Sequence, residues 1–228
     1  MATTNTDRPS GFKPLRYRNG SQWNGQANTY AFSASNSAAC YKYDLVIFDS
    51  TNRTDSLVDP YMPGLPFVAS AAADVTTAAQ RGVVVGFLPE PEFTNSGTAS
   101  LGLMYRVAST KRWAMVVDDP DVIFEAQEEA GGYTSTSNNF IGKAIGTAYI
   151  AGSTTTGVSK ATIKSSDSQT AAVRPWKVLR FVPRPDNFGF AAADNPTYAK
   201  YEILPFYWDL SLAYAAGTSS SAILVIGA

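Results

Sequence analysis

Arg112-Trp113-Ala114-Met115-Val116-Val117, a break at Asp118-Asp119-Pro120, and then Val122-Ile123-Phe124-Glu125-Ala126-Gln127 form the stretch that decides the fold class. Each apolar run is too short for a buried helix and is rich in β-branched and aromatic residues, which suit a pleated surface. Asp at a tight turn bonds its own backbone two residues on, and Pro ends a ladder, so the break reads as a hairpin between two strands. Working outward, Gly82 to Leu88 is a continuous apolar run around Val83-Val84-Val85, and Leu101 to Val107 follows as another strand. Tyr30 to Ser33, Asp44 to Phe48, Ala144 to Ile150, Ser159 to Lys164, Trp176 to Val182 and Ala199 to Phe206 complete the series. No window shows a 3.6-residue period capped at both ends. Ala69 to Ala79 comes nearest, and its alanines suit a short helix. About ten strands with Gly- and Pro-rich turns predict an all-β chain, a β-barrel or β-sandwich, with the jelly roll among its forms.

Three regions follow from punctuation. Residues 1–28 read as an extended arm, because Pro9, Gly11, Pro14, Asn19-Gly20 and Asn24-Gly25 interrupt any regular element. The arm carries Phe12, Leu15, Tyr17 and Trp23, so it is expected to lie on its own domain or on a neighbour. Residues 29–206 form the β-rich body, and Gly131 to Ser137 reads either as a subdomain break or as a long surface loop. Residues 207–228 form a C-terminal extension ending in a strand at Ala222 to Ile226.

Composition narrows the chemistry. Of 228 residues, 45% are hydrophobic and only 16% charged, so Ser, Thr, Asn and Gln must cover much of the surface. Eighteen basic and 19 acidic residues give a net charge of -1, with no cationic excess to bind nucleic acid by counterion release. Histidine is absent, which removes the commonest general base and metal ligand and rules out a Ser-His-Asp or Cys-His centre. Cys40 is the sole cysteine and reads as a small buried apolar residue. Met1 to Ser10 lacks the apolar run of a signal peptide, and the uncharged stretch Leu210 to Ala228 is broken by Gly217 and Thr218 to Ser221, so no membrane span is expected.

Carboxylate chemistry remains open to such a chain. Glu90, Glu92, Glu125, Glu128 and Glu129 are the residues from which a glycosidase pair would be drawn, but loop and strand-end positions explain them more simply. Asp118, Asp119 and Asp121 cluster as a Ca²⁺ site would, without the spacing of an EF-hand, and a tight turn accounts for them. No cofactor, metal or catalytic residue is assigned. Arg180 to Phe190 combines arginine, proline and aromatics, as interface hot spots do, and Ile203 to Trp208 is similar; a barrel corner burying its own aromatics fits either stretch equally. Trp23, Trp113, Trp176 and Trp208 are the stacking platforms that a carbohydrate-binding sandwich would use.

Four segments and a loop then occur in a telling order. They are Asp7-Arg8-Pro9-Ser10-Gly11-Phe12-Lys13-Pro14-Leu15, Asp119-Pro120-Asp121-Val122-Ile123-Phe124-Glu125-Ala126-Gln127, the loop Gly152-Ser153-Thr154-Thr155-Thr156-Gly157, Val178 to Asn187 with its Arg184-Pro185-Asp186-Asn187 ending, and Lys200-Tyr201-Glu202-Ile203-Leu204. In that order they resemble the capsid decoration, or cement, proteins of tailed bacteriophages. The resemblance spans residues 7 to about 205 and departs from the pattern in the long aromatic extension from Phe206. It implies a structural virion protein, made in a host cytoplasm, that sits on the outer capsid surface and bridges major capsid subunits. It implies no enzyme, no cofactor and no direct contact with nucleic acid or membrane. Self-association as a trimer or dimer on a capsid axis would obey point symmetry. The residues expected to contact capsid or subunit are Arg8, Phe12 and Leu15 in the arm, Arg184 and Phe188 after the Val178 strand, and Ile223, Leu224 and Val225 in the terminal strand. Another virion part, such as a minor capsid or fibre-base subunit, and a carbohydrate-binding module are the alternatives.

Overall fold

The structure is a computed structural model that describes residues 5–49, 64–71, 73–74, 80–88, 104–129, 141–169, 174–187 and 197–208. It is all-β, with no helix among the described residues. Among the described residues, eleven strands run in chain order: β1 (Lys13–Tyr17), β2 (Asn28–Phe32), β3 (Leu45–Phe48), β4 (Val68–Ser70), β5 (Gly82–Phe87), β6 (Arg112–Val117), β7 (Val122–Gln127), β8 (Ala144–Ala148), β9 (Thr162–Gln169), β10 (Trp176–Phe181) and β11 (Lys200–Pro205). They make two antiparallel sheets, one of six strands ordered β1-β7-β11-β10-β8-β9 and one of five ordered β2-β6-β5-β3-β4.

Alternation explains how the sheets stack. Along β7, Val122, Phe124 and Ala126 face the main core, as do Trp176 and Val178 of β10 and Tyr201 and Ile203 of β11. The five-stranded sheet is covered on both faces. Leu45, Val83 and Val117 enter the main core, while Val46, Val84, Ala114 and Val116 enter a second core with Tyr30, Phe32, Cys40 and Val68. A strand buried on both faces needs apolar residues at successive positions, hence the unbroken Val83-Val84-Val85 run. The second core is enclosed because its sheet curls: Ala31 N–H donates to Pro66 O at 3.0 Å, and Ala31 bridges Phe67 between the outer strands β2 and β4. The six-stranded sheet curls in the same way. Glu128 bridges Ile163 of β9, and Glu129 N–H donates to Ile163 O at 3.0 Å. The result is a β-sandwich of two curled sheets.

Several expectations change. The break at Asp118-Asp119-Pro120 is no hairpin, since β6 pairs with β2 and β5 whereas β7 pairs with β1 and β11. It is a corner between sheets, anchored by Asp118, whose carboxylate accepts from Tyr30 Oη at 2.5 Å and Asn28 Nδ2 at 2.9 Å. Residues 104–107 make no strand; Arg106 forms only an isolated bridge with Cys40. Residues 13–17 of the extended arm lie on the chain's own body, where they gain regular structure as the edge strand β1; Pro14 is tolerated because an edge position needs no N–H. Gly11 turns the chain at φ +66°, and a Cβ there would meet Tyr43 O and Ser159. The turn drops Phe12 into the main core, stacked on Trp176 at 5.0 Å between ring centroids. At the other end Trp208 is wholly buried against Trp176 and Phe124, so the body extends through it. Ala69 and Ser70 belong to β4 rather than to a helix. The Gly131 to Ser137 stretch and the terminal strand at 222–226 lie outside the described residues.

Candidate docking surface

The outer face of the six-stranded sheet is polar, because residues directly opposite in an antiparallel ladder share a face. Glu125 lies between the inward Phe124 and Ala126, so it points outward, and Lys13 of β1 and Glu202 of β11 stand opposite it. Arg180 of β10 is opposite Glu202, Lys177 opposite Leu204, Arg16 opposite Ile123, and Lys200 opposite Gln127. Two glutamates facing each other repel, and three arginines offset that. Arg16 Nη2 donates to Glu202 Oε2 at 2.7 Å, Arg180 Nη2 to Glu202 Oε1 at 2.8 Å, and Arg184 Nη2 to Glu125 Oε1 at 2.6 Å. Burial alone would raise the Glu202 carboxyl, but the bonds from Arg180 and Arg16 hold it below its ordinary value. The glutamate side chains are 6–7% exposed and the arginines 29–55%, so the face presents cations over sequestered anions.

One end of this face is a groove of ≈ 190 Å³ lined by Asn5, Thr6, Arg8, Asp186, Asn187, Tyr198 and Lys200. Two side chains tie its walls to the sheet as a backbone would. Gln127 accepts from Arg8 N–H at 3.1 Å and donates to Thr6 O at 3.0 Å. Asn187 donates to Val182 O and Lys200 O and accepts from Lys200 N–H, at 2.8–2.9 Å.

Of the expected contact residues, Arg8 is exposed at the groove, and Arg184 stands on Glu125 with Asp186 at 3.9 Å. Leu15 is half-buried at the bulge between Pro14 and Arg16. Phe12 has no exposed surface, and its partners are Trp176 and the main core, so it is not available to a neighbour. Phe188, Ile223, Leu224 and Val225 lie outside the described residues. The Arg180 to Phe190 stretch divides: Phe181 is buried edge-on against Tyr201, while Arg180 and Arg184 remain outside. In the Ile203 to Trp208 stretch, Ile203 and Trp208 are core residues.

The alternative chemistries find the following geometry. Glu90 and Glu92 lie outside the described residues. Glu125 is held by Arg184, and Glu129 accepts from Ser166 Oγ at 2.8 Å. Glu128 is wholly buried, neither of its oxygens having a well-formed hydrogen bond; burial pushes its carboxyl up to about 7, with Ser165 partly offsetting the rise. Asp118, Asp119 and Asp121 diverge, for Asp119 caps the Asp121 N–H and Asp121 points at Arg18. No three His, Cys, Asp or Glu side chains gather to hold a metal among the described residues. Trp176 and Trp208 are core residues and offer no platform, and Trp23 packs partly against the same core. No helix among the described residues is long and apolar enough to cross a membrane.

Sequence reasoning missed the Arg16–Glu202–Arg180 cluster. The polar positions 125, 127, 200 and 202 alternating with apolar neighbours do mark an outward face, but which arginine meets which glutamate depends on strand order. The segments quoted above for their order, apart from the Gly152 to Gly157 loop, fall on β1, β7, β10 and β11, four contiguous strands of one sheet. Compared with protein families, with curated proteins and with solved structures, the chain finds no match.

Proposed function

We propose that this chain is a structural virion protein that decorates the outer surface of a tailed-phage capsid and bridges its major capsid subunits. One observation carries the reading: four of the five segments that resemble decoration proteins, separated by up to about 190 residues in the chain, reach the adjacent strands β1, β7, β11 and β10. A shared sheet is what a common docking body would require. Two further features suit a structural role: Trp176 and Trp208 lie in the core, and Glu125 and Glu202 on the outer sheet face are held by arginines. Decoration stabilises a shell by adding interface area at each of many symmetric positions and needs no cofactor.

Copy number tests the reading. Densitometry of purified particles should find the protein at on the order of hundreds of copies per shell. A dozen or fewer copies would make it a minor capsid or fibre-base part, and its absence from particles would contradict the proposal.

A further inference from the structure

The outer face of the six-stranded sheet is out of balance with the rest of the molecule. The four contiguous strands β1, β7, β11 and β10 place five cations outward, Lys13, Arg16, Lys177, Arg180 and Lys200, against two carboxylates, Glu125 and Glu202, a net charge of +3. The whole chain carries -1, so the remainder of the chain carries -4. The two glutamates are sequestered. Arg16 and Arg180 each direct Nη2 at Glu202, and a guanidinium has five N–H donors, so each keeps donors for a second acceptor. Lys177 is exposed, lying over the Phe206 ring at 5.7 Å, and Lys200 opens onto the groove that also holds Arg8.

We infer that this face is the docking surface of the protein and that its partner is a carboxylate-rich protein surface. Charge complementarity selects the sign of the partner, and the charge of the whole chain selects its class. Arginine forks fit carboxylates two N–H groups at a time. The face's +3 sits on a chain of net charge -1, so the molecule as a whole has no cationic excess to bind a nucleic-acid backbone by counterion release, and a protein surface is the class of partner that a local cationic face fits. Contacts of this kind steer encounter and weaken with salt. The inference rests on the decoration reading only in naming the shell as that partner; the chemistry of the face stands apart from it.

Three proteins test the surface. They are the full chain, a face variant carrying Lys13→Gln, Lys177→Gln and Lys200→Gln, and a control with the same loss of charge elsewhere, Lys42→Gln, Lys111→Gln and Lys160→Gln. The lysines leave the arginine–glutamate bonds intact, and equal melting temperatures check that all three proteins are folded. Binding is measured to immobilised poly-L-glutamate at low salt and to expanded heads that lack the protein. The face variant should bind each at least about tenfold more weakly, with the control within about twofold of the full chain. If the full chain ignores heads but the poly-L-glutamate pattern holds, the decoration reading fails and the surface stands. Equal behaviour of the face variant and control on poly-L-glutamate would overturn the surface. Tighter binding to a single-stranded DNA oligonucleotide than to poly-L-glutamate at the same salt would also overturn it, in favour of a nucleic-acid face.

Discussion

Arg106 is a cation with no exposed surface, and it directs its guanidinium at backbone oxygens. It donates to Ser33 O, Asn36 O, Ala38 O and Thr110 O at 2.6–2.8 Å and lies over the Phe32 ring at 4.8 Å. Burial lowers its pKa to about 10, so it stays charged at neutral pH. One side chain thereby satisfies the carbonyls of the 33–38 turn that closes the second core. Arg106→Met should cost about 2–4 kcal/mol in urea unfolding, because those carbonyls lose their donors while remaining buried. Glu128 gives the opposite case, a buried acid whose environment favours the neutral form. Its carboxyl rises from an ordinary 4.5 to about 7, and that of Asp44 from 3.8 to about 6, both chiefly through burial. In that window the unfolded chain is ionised while the native one still holds the proton, so native stability falls as pH rises and levels off above pH 7. For Glu128 the full loss is about 3 kcal/mol. The urea midpoint should therefore fall between pH 5 and pH 8, and Glu128→Gln should leave only the Asp44 part of that slope, below about pH 6. A flat wild-type profile would show that Glu128 meets solvent or a donor.

At the scale of elements, the edge strand β1 shows what sequence can and cannot convey. Its prolines and glycines mark an irregular segment, and that reading is locally sound, yet Pro14 occupies an edge and Gly11 makes the turn that delivers Phe12 to Trp176. Removing residues 1–20 should abolish cooperative unfolding rather than leave an intact body, because β7 loses one of its two ladder partners and the core loses a fully buried ring. Phe12→Ala alone should cost about 3–5 kcal/mol by calorimetry or urea titration. Strands β5 and β6 were legible as compact apolar runs, and β7, β10 and β11 as short runs of apolar residues alternating with polar ones, an alternation that in β7 and β11 marked the polar face of the sheet. The corner at Asp118 was not, because a turn sequence fixes the reversal of the chain but not which sheet receives the next strand. The arginine–glutamate cluster was hidden for the same reason, since Arg16 and Glu202 stand 186 positions apart.

For the whole molecule, β3, β5 and β6 supply residues to both cores, so the two cannot melt independently. Tryptophan fluorescence, reporting Trp176 and Trp208 of the main core, and far-ultraviolet circular dichroism should follow one urea transition. Val84→Ala, which touches only the second core, should move both traces by the same amount; separate midpoints would divide the molecule into two units. The sandwich around this shared double core offers one cation-rich sheet face, and in the proposed role that face clamps a capsid shell. The most direct test is co-sedimentation of the full chain with expanded phage heads that lack it. The account predicts saturable binding at a fixed, high stoichiometry that declines with added salt. A protein that stays in the supernatant at every concentration would contradict it.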